Sequence, residues 1–303
     1  MQEQEEKVIY EKFERERVDY HLASIYKEYS RSYFQKLTGK QKIFVNDKSV
    51  LASYKLKKGD VISFKFDVEE TLKIAPERVD LDIIYEDDDI IIVNKQPGIV
   101  VHPSYGHPFG TLLNALMAHS NGKYNPYLIH RLDKDTSGII IFAKSEKSKI
   151  SISKQFQKRT VKKIYLAAVK GIIVENKGRI EAPLGRSPQN RKIISVNPLA
   201  KKIAISEFEV LARKDGYTLL KVRIITGRTH QIRSHMKYIN HPVVGDLQYG
   251  GSEVSIDGKK YNRQMLHSYH VTLTHPRTSK TVEFKADLPN DMKEIFLSCR
   301  AKV

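Results

Sequence analysis

The sequence predicts an α+β protein with a large mixed or antiparallel sheet, and three observations lead to this class. Runs rich in β-branched residues, such as YTLLKVRIIT and QMLHSYHVTLTHP, outnumber the segments with helical spacing. Regular alternation of strand and helix, which a parallel doubly wound sheet requires, is rare. Two helical segments followed by short strands stand near the start, so a small α+β module is expected ahead of the main domain.

The N-terminal part of the chain predicts this small module. Residues 1–14 are mostly charged with helix-forming side chains, so we expect a helical extension there. Over 15–70 we expect two amphipathic helices and two short strands, KIFVND and DVISFKF. The helices are indicated by apolar residues at three- and four-residue spacings: Leu22, Ile25, Tyr26, Tyr29, Tyr33, Phe34 and Leu37. Cations along the module, Arg31 and Lys36 among them, form either a solvated surface or a binding surface.

A change in composition separates this module from the main domain. The stretch DVEETLKIAPERVDLD is acidic and polar and contains a proline, which predicts a linker at 71–80. The main domain is then expected over 81–303. Its first part, IIYEDDDIIIVNKQPGIVV, predicts three strands joined by turns, whereas TLLNALMAH and THQIRSHMKYI have helical spacing.

The charge balance indicates a polyanionic partner. The 303 residues include 52 Lys and Arg against 35 Asp and Glu, a formal net charge of +17. Such an excess favours nucleic acid or an anionic membrane surface, although a merely basic protein has the same composition. The single cysteine excludes a disulfide framework and a cysteine-based zinc site. Neither a run of 18 apolar residues nor a signal-like start is present, so we expect a cytoplasmic protein without membrane attachment.

Standard cofactor and nucleophile motifs are missing from the sequence. It contains no glycine-rich phosphate loop, no GxGxxG after a strand, no GxSxG elbow and no HExxH. His230 and His235 stand five residues apart, which does not align two metal ligands on one helix face. We therefore expect neither a metal nor a nucleotide cofactor. What remains is the acidic loop IHRLDKDTSG, in which Asp133 and Asp135 compete as the functional carboxylate; a solvated turn explains the charges as well.

Six blocks of sequence resemble the RluA-type family of RNA pseudouridine synthases. They occur in the family's order and span most of the chain from about residue 80 onward, which makes the combination far more specific than any single block. The N-terminal module, with RVDYHLAS, YSRSYFQKL and LKKGDVISF, is similar to an S4-type RNA-binding domain, although KQKIFVND departs from the usual glycine-bearing turn. The six blocks are NKQPGIVVHPS (94–104), HRLDKDTSGIIIFAKS (130–145), KKIYLAAV (162–169), PLGRSPQNRKIISV (183–196), TGRTHQIRSHM (226–236) and HPVVGDLQYG (241–250).

The resemblance implies an RNA uridine isomerase that needs no cofactor and no metal, on a catalytic domain of pseudouridine synthase type. Asp133 occupies the catalytic position of the family, and Arg233 the position that pairs with it. Tyr165 matches the tyrosine that stacks on the target base. Arg131 is expected to reach into the RNA near the extruded nucleotide. Further RNA contacts are expected from Arg31, Lys36, Arg186, Arg191, Arg228 and His230.

Several alternatives stay open at this stage. Asp133 either attacks C1′ of the ribose or takes a proton from C2′. Tyr165 either stacks on the base or also removes the C5 proton, and a phenol with a pKa near 10 is a poor base. Arg228 and His230 either bind the backbone or phosphate of the RNA or make a structural hydrogen bond. Large-subunit ribosomal RNA is the expected target, with transfer RNA, or a non-catalytic role in ribosome assembly, as alternatives; a monomer is expected.

Overall fold

The computed structural model describes residues 5–26, 29, 31–66, 74–103, 108–190, 193–251, 255–256 and 258–299. The chain divides into two units, Met1–Lys73 and Ile74–Val303. Within the described ranges, no helix combines the length and the apolar character that crossing a membrane requires.

The smaller unit consists of two helices and an antiparallel sheet. Its elements are β1 (Glu5–Ile9), α1 (Val18–Ile25), α2 (Arg31–Gly39), β2 (Ile43–Val45), β3 (Lys48–Ser49) and β4 (Val61–Lys65). The strands are ordered β1-β4-β2-β3. Apolar residues at helical spacing in α1 and α2, such as Leu22, Phe34 and Leu37, pack with Ile62 and Phe64 of β4 in one core.

The N-terminal helix expected over 1–14 is wrong for its described part. Glu5–Ile9 forms strand β1, which pairs antiparallel with β4 from Glu5 opposite Lys65 to Ile9 opposite Val61. Burial alternates along this strand, since Val8 packs against the core while Lys7 and Ile9 are exposed. The free edge of β4 therefore decides the conformation, and it overrides the helix propensity of the charged side chains.

The larger unit is built on one mixed sheet. Its strands are β5 (Ile83–Glu86), β6 (Ile90–Lys95), β7 (Tyr127–Leu128), β8 (Ser137–Ala143), β9 (Lys162–Lys170), β10 (Lys177–Arg186), β11 (Ile194–Val196), β12 (Ile203–Lys214), β13 (Tyr217–Ile224), β14 (Ser255–Ile256), β15 (Lys259–Lys260), β16 (Leu266–Thr274) and β17 (Thr281–Lys285). Its helices are α3 (Leu112–Ser120), α4 (Glu146–Lys158), α5 (Gln231–Tyr238) and α6 (Asn290–Ser298). The sheet order is β11-β10-β12-β13-β9-β16-β8-β6-β5, with β17 beside β16 and β7 beside β8, while β14 and β15 pair separately. The predicted α+β class with a large mixed, mainly antiparallel sheet is confirmed.

Part of the segment expected to be a linker belongs to the larger unit. Ile74 packs against the main core of that unit, and Asn114 Nδ2 of α3 donates to Ala75 O at 2.8 Å. Glu77 Oε2 accepts a hydrogen bond from Gly110 N. Residues 74–80 are therefore anchored by packing and hydrogen bonds that their acidic, polar composition does not indicate.

A parallel pair of strands lies in the middle of the sheet. Ser268 of β16 stands opposite Gly138 of β8 on one side and opposite Tyr165 of β9 on the other. Since neighbouring strands lie about 4.8 Å apart, Gly138 and Tyr165 are separated by roughly 10 Å. A Cβ at Gly138, whose φ is +105°, would lie 2.3 Å from Ser268 O, so only glycine permits this approach. The loop 129–136, which leads into β8, is thereby brought beside β9.

Candidate active site

The backbone of the acidic loop 129–136 accepts hydrogen bonds from two cations, Lys95 and Arg263. Lys95, at 1% exposure, donates from Nζ to the backbone oxygens of Gln96, Ile99 and Lys134 at 2.9, 3.0 and 2.7 Å. Arg263 Nη1 donates to Asp135 O at 3.1 Å. The loop is thus fixed through its backbone, which leaves the side chain of Asp133, 21% exposed, free to face a cavity.

Arg233 of α5 binds two carboxylates at once. Its Nη1 lies 2.9 Å from Asp133 Oδ2, although the two residues are 100 positions apart in the sequence. Its Nε and Nη2 donate to Asp246 Oδ2 and Oδ1 at 2.6 and 2.9 Å, and Nη2 also donates to Gln248 Oε1 at 3.0 Å. Burial lowers the pKa of Arg233, but the hydrogen bonds and charge of Asp246, followed by Asp133, raise it above its ordinary value. The guanidinium group is therefore a permanent cation with a fixed plane.

Tyr249 and His230 complete a network around Asp133. The Tyr249 ring lies under the Arg233 guanidinium, 4.7 Å from Cζ to the ring centroid. The Tyr249 hydroxyl accepts from Ile194 N at 3.0 Å and forms a hydrogen bond of 2.8 Å with His230 Nδ1. His230 Nε2 lies 3.7 Å from Asp133 Oδ1. Burial lowers the pKa of His230, against the opposing effect of the Asp133 charge, and this favours the neutral ring.

The segment before α5 is ordered by Gln231. Its Oε1 accepts from Thr226 Oγ1 and from Arg228 N at 2.7 and 3.1 Å, and its Nε2 donates to Ile205 O at 2.9 Å. His230, the residue before α5, has φ of +51°, in the left-handed region that few residues other than glycine adopt. This conformation turns the chain into α5 and places His230 and Arg233 on the same side as Asp133.

A cavity of about 480 Å³ opens beside Asp133. Asp133 and Tyr165 both line it, and it is bordered by loop 129–133, the end of α4, the start of β9 and residues 224–230. Tyr165 is 8% exposed. Burial raises the pKa of Tyr165 to about 12, with a smaller contribution from the Asp133 charge. The cavity thus pairs a partly exposed carboxylate with a neutral aromatic ring.

The structure brings together six of the residues singled out in the sequence. Asp133, Tyr165, Arg131, Arg228 and His230 all line this cavity, and Arg233 reaches Asp133 from beneath it. Asp135, the competing carboxylate, is not among the residues that line it.

The other residues predicted to contact RNA lie away from this cavity or outside the described residues. Arg186 is exposed at the end of β10, in the hairpin to β11, where it stands opposite Ile194. Arg191, in the same hairpin, lies outside the described residues. Lys36 is exposed on α2 of the smaller unit. Nothing in these positions assigns a contact by itself, so they stay predictions.

A buried aspartate organises the cations of the smaller unit. Asp19 has no exposed surface and accepts from Arg17 Nε and Nη2 at 2.9 and 3.0 Å, from Arg31 Nε at 3.0 Å and from Gln35 Nε2 at 2.6 Å. Burial raises the pKa of Asp19, but the hydrogen bonds from Arg17, Gln35 and Arg31 outweigh this effect and lower it to about 2. The side chains of Arg17 and Arg31 remain 40% and 45% exposed. They border a second cavity, of about 370 Å³, whose walls also contain Tyr20.

Among the described residues, one group of potential metal ligands comes together away from the active-site cavity. It consists of Asp87, Asp89 and His275. His275 Nε2 already contacts Asp87 Oδ2 at 2.8 Å, and Asp89 Oδ2 forms an ion pair with Arg277 Nε at 2.7 Å. Asp87 Oδ1 accepts from the backbone of Asp89 and Ile90. The charges are satisfied within the protein, so the arrangement fits a structural role rather than a metal centre.

Asp246, Gln248 and Tyr249 were not predicted as site residues from the sequence. They belong to the block HPVVGDLQYG, where an aspartate follows Gly245 in a turn. A Cβ at Gly245 would lie 2.0 Å from Arg263 O, so the turn requires glycine at that point. The sequence signal was therefore a glycine followed by an acid, but their pairing with Arg233 depends on the folded chain.

Comparison with known proteins agrees with this geometry. Residues 89–238 match the family model described as RNA pseudouridylate synthase. The chain is 42% identical over 291 residues to a Bacillus subtilis protein named as an uncharacterized RNA pseudouridine synthase, YlyB, with 94% of each chain covered. It is 40% identical to ribosomal large subunit pseudouridine synthase D of Neisseria meningitidis serogroup B, covering 92% of this chain and 78% of that protein.

A solved structure shares the fold of the larger part of the chain. Human RNA pseudouridylate synthase domain containing 1 superposes with a TM-score of 0.56 at 27% sequence identity. The match covers 74% of this chain and 96% of the human one.

Proposed function

The chain belongs to the family of RNA pseudouridine synthases, isomerases that act on RNA, and we propose that it converts uridines of large-subunit ribosomal RNA to pseudouridine with Asp133 as the catalytic carboxylate. The observation that carries the assignment of Asp133 is its 2.9 Å ion pair with Arg233 at the wall of the cavity that Tyr165 also lines. The ribosomal target is supported by the name of the Neisseria relative. It also fits the cytoplasmic location expected from the sequence.

The reaction moves uracil from one attachment to another on the same ribose. The bond from C1′ to N1 breaks, the base rotates within the cavity, and a bond from C1′ to C5 forms. The proton on C5 is lost and N1 gains one, so atoms and electrons balance without a further reactant. Such a reaction needs a carboxylate close to the ribose, a surface that holds the freed base and a space closed to water.

Asp133 meets the first need. Nη1 of Arg233 donates to Oδ2, while Oδ1 lies 3.7 Å from His230 Nε2. These contacts orient the carboxylate at the wall of the cavity, where C1′ or the C2′ proton of a bound uridine would lie. The geometry supports Asp133 in either route.

Tyr165 meets the second need as a stacking surface. With its pKa raised to about 12, the phenolate lies about 7 kcal/mol above the phenol at pH 7. This cost argues against Tyr165 as the base that removes the C5 proton. Stacking of a base on an aromatic ring contributes about 1–3 kcal/mol and needs no change of protonation.

The cavity is large enough for one nucleotide. Its volume of about 480 Å³ lies within the range of roughly 300–1,000 Å³ for small-molecule sites. A uridine stacked in a helix cannot present C1′ to a carboxylate inside such a cavity, so it must be extruded from the RNA. Arg131 is exposed at the cavity wall and is suited to occupy the space that the extruded nucleotide leaves.

The smaller unit supplies a further RNA-binding surface in this proposal. The order of its helices and strands supports an S4-like character. Its positive surface includes Arg17 and Arg31, which Asp19 holds at the edge of a cavity. Phosphate contacts by such cations make RNA binding salt dependent. Each contact changes the slope of log affinity against log salt concentration by about −0.7 for single strands.

The Asp133→Asn variant tests this proposal. We expect it to form no pseudouridine in unmodified large-subunit ribosomal RNA, while its melting temperature and its affinity for that RNA stay close to those of the wild type. Mapping pseudouridines in ribosomal and transfer RNA from cells with and without the protein identifies the target. Turnover by purified Asp133→Asn protein would refute the catalytic assignment, and a loss of pseudouridine confined to transfer RNA would refute the ribosomal target.

A further inference from the structure

The ammonium group of Lys163 lies in the active-site cavity without an anionic partner among the described residues. Lys163 precedes Tyr165 by two residues on β9, so both side chains leave the strand on the same face. Its Nζ lies 5.3 Å from the centre of the Phe156 ring. A methyl group added at Gly227 would be 3.6 Å from this atom. No carboxylate of the described residues forms an ion pair with it, and burial is what shifts its pKa.

A second cationic group in the same wall also has an unused donor. Arg228 follows Gly227 in the chain, and its Nε is buried and makes no hydrogen bond within the described part of the protein. Arg131 and Arg159 line the cavity as well. Against these cations the cavity lining contains the carboxylate of Asp133, which is already bound by Arg233. The wall around Lys163 therefore carries an excess of positive charge.

In the described part of the protein, no neighbouring side chain compensates the charge of Lys163. His130, beside it, has a pKa lowered to about 3 by burial and by the charge of Lys163. His130 Nε2 accepts a hydrogen bond from Ile141 N at 3.1 Å, so the ring is neutral. Burial lowers the pKa of Lys163 to about 8. A half-buried cation without a partner loses part of its hydration, and its energy falls when an anion binds beside it.

We propose that Lys163 and Arg228 form an anion subsite that binds the RNA phosphate next to the extruded uridine. The inference rests on the proposed function and names the part of the substrate that this wall recognises. A phosphate oxygen offers full charge to both groups, whereas a uracil carbonyl would leave two half-buried cations uncompensated. Held by its phosphate on this side and by Tyr165 at its base, the nucleotide has its ribose directed to Asp133.

The subsite predicts a dependence of kcat/KM on pH, which reports groups of the free enzyme. Lys163 must be charged to bind phosphate, so kcat/KM should fall as pH rises through about 8. The cavity around Lys163 also contains guanidinium groups, which keep their charge, and the carboxylate of Asp133. Its other titratable groups are His130, His230 and Tyr165. The pKa values of both histidines are lowered and that of Tyr165 is about 12, so none of these three titrates near pH 8.

Three variants test the subsite: Lys163→Met, Lys163→Arg and, as the matched control, Lys162→Met. Lys162 is exposed and leaves β9 on the opposite face. With unmodified large-subunit ribosomal RNA transcript as substrate, we expect Lys163→Met to raise KM roughly ten- to hundredfold, with a smaller change in kcat. Lys163→Arg should restore KM and remove the part of the alkaline fall in kcat/KM that Lys163 causes. Lys95, whose pKa burial also lowers to about 8, keeps its own contribution in this variant. Lys162→Met should resemble the wild type in both.

Two results would overturn the subsite. One is an unchanged KM in a Lys163→Met protein whose circular dichroism and melting temperature match the wild type. The other is activity that rises through pH 8 and is lost equally in Lys163→Arg and Lys163→Met, since this indicates that the neutral amine acts as a base.

Filter binding of the same transcript separates this inference from the proposed function. If the wild type makes no pseudouridine, the proposed function fails. The transcript affinities of the wild type and Lys163→Met still test the subsite in that case. The subsite is supported if Lys163→Met binds the transcript more weakly than the wild type and the slope of log affinity against log salt concentration is smaller by about 0.7. Binding equal to that of the wild type overturns it.

Discussion

Arg233 and Asp246 form a two-point ion pair, with Nε 2.6 Å from Oδ2 and Nη2 2.9 Å from Oδ1. The side chains are 7% and 1% exposed, so water does not compete for these bonds. The pair fixes the plane of the guanidinium group and leaves Nη1 for Asp133, 2.9 Å away. The position of the proposed catalytic carboxylate is thus decided by a second carboxylate that never faces the cavity.

The Asp246→Asn substitution should lower kcat while Asp133 itself is intact. The amide keeps at most one of the two hydrogen bonds, so the guanidinium group tilts and the Asp133 oxygens move. A misplacement of about 1 Å costs roughly a hundredfold in rate. Pseudouridine formation under single-turnover conditions measures this effect. Glu181→Gln, which removes an exposed partner of Arg179, is the control; a wild-type rate in Asp246→Asn would contradict the positioning role.

Tyr165 should tolerate replacement by phenylalanine better than by leucine. Phenylalanine keeps the ring that stacks on the base, whereas leucine loses a contact of about 1–3 kcal/mol, or roughly 5- to 150-fold in kcat/KM. We expect Tyr165→Phe to retain most of the wild-type kcat/KM and Tyr165→Leu to lose it. Equal, near-complete loss in both variants would show that the hydroxyl takes part in the chemistry despite its raised pKa.

Asp19 should matter for both the stability and the RNA affinity of the smaller unit. Asp19→Ala leaves Arg17, Arg31 and Gln35 without their shared acceptor, and breaking a buried charged network costs about 3–5 kcal/mol. Chemical denaturation with fluorescence detection measures the loss of stability, and filter binding at several salt concentrations measures the RNA contacts. Glu11→Gln, at an exposed position of the same unit, should change stability by less than about 1 kcal/mol. Similar stability of the two variants would show that Asp19 is not needed to hold the arginines.

The folded protein should lose stability as pH falls below about 6.5. Burial lowers the pKa of His267 and of His235 to about 4 in each case, while an unfolded histidine titrates near 6.5. Between these values the unfolded chain binds protons that the folded chain does not, so unfolding becomes easier by about 1.4 kcal/mol per pH unit for each such group. Urea denaturation at pH 7.5, 6.5 and 5.5 measures this slope. His267→Gln should reduce it, whereas His119→Gln, at a more exposed position, should not; an unchanged slope in His267→Gln would contradict the assignment.

The order of motifs along the chain was enough to predict the family, the fold class and the residues around the cavity. The family is confirmed by the matching model and relatives, and the blocks around Asp133, Tyr165 and Arg233 lie within that match. The α+β class followed from strand-forming runs that outnumber helical ones. These features are local, since each depends on residue types at short spacings that one sequence displays directly.

The first residues show where local patterns are insufficient. Charged, helix-forming side chains predicted a helix over 1–14, but Glu5–Ile9 pairs with β4 because that strand offers a free edge more than fifty residues later. Likewise, the polar segment 74–80 looked like a linker, yet Ile74 reaches the core of the larger unit. In both cases the partner is distant in sequence, so local propensity could not reveal it.

By itself, the sequence determined which residue types are available for the reaction and in what order they come. Tertiary structure alone decided that Asp246 holds Arg233, that Tyr249 contacts His230, and that Lys163 faces the cavity without a counter-ion among the described residues. The physical reason is that charge and hydrogen-bond energies depend on distances of a few ångströms and on exclusion of water. Those distances exist only once strands β8, β16 and β9 lie side by side and α5 packs beside β10, β11 and β12.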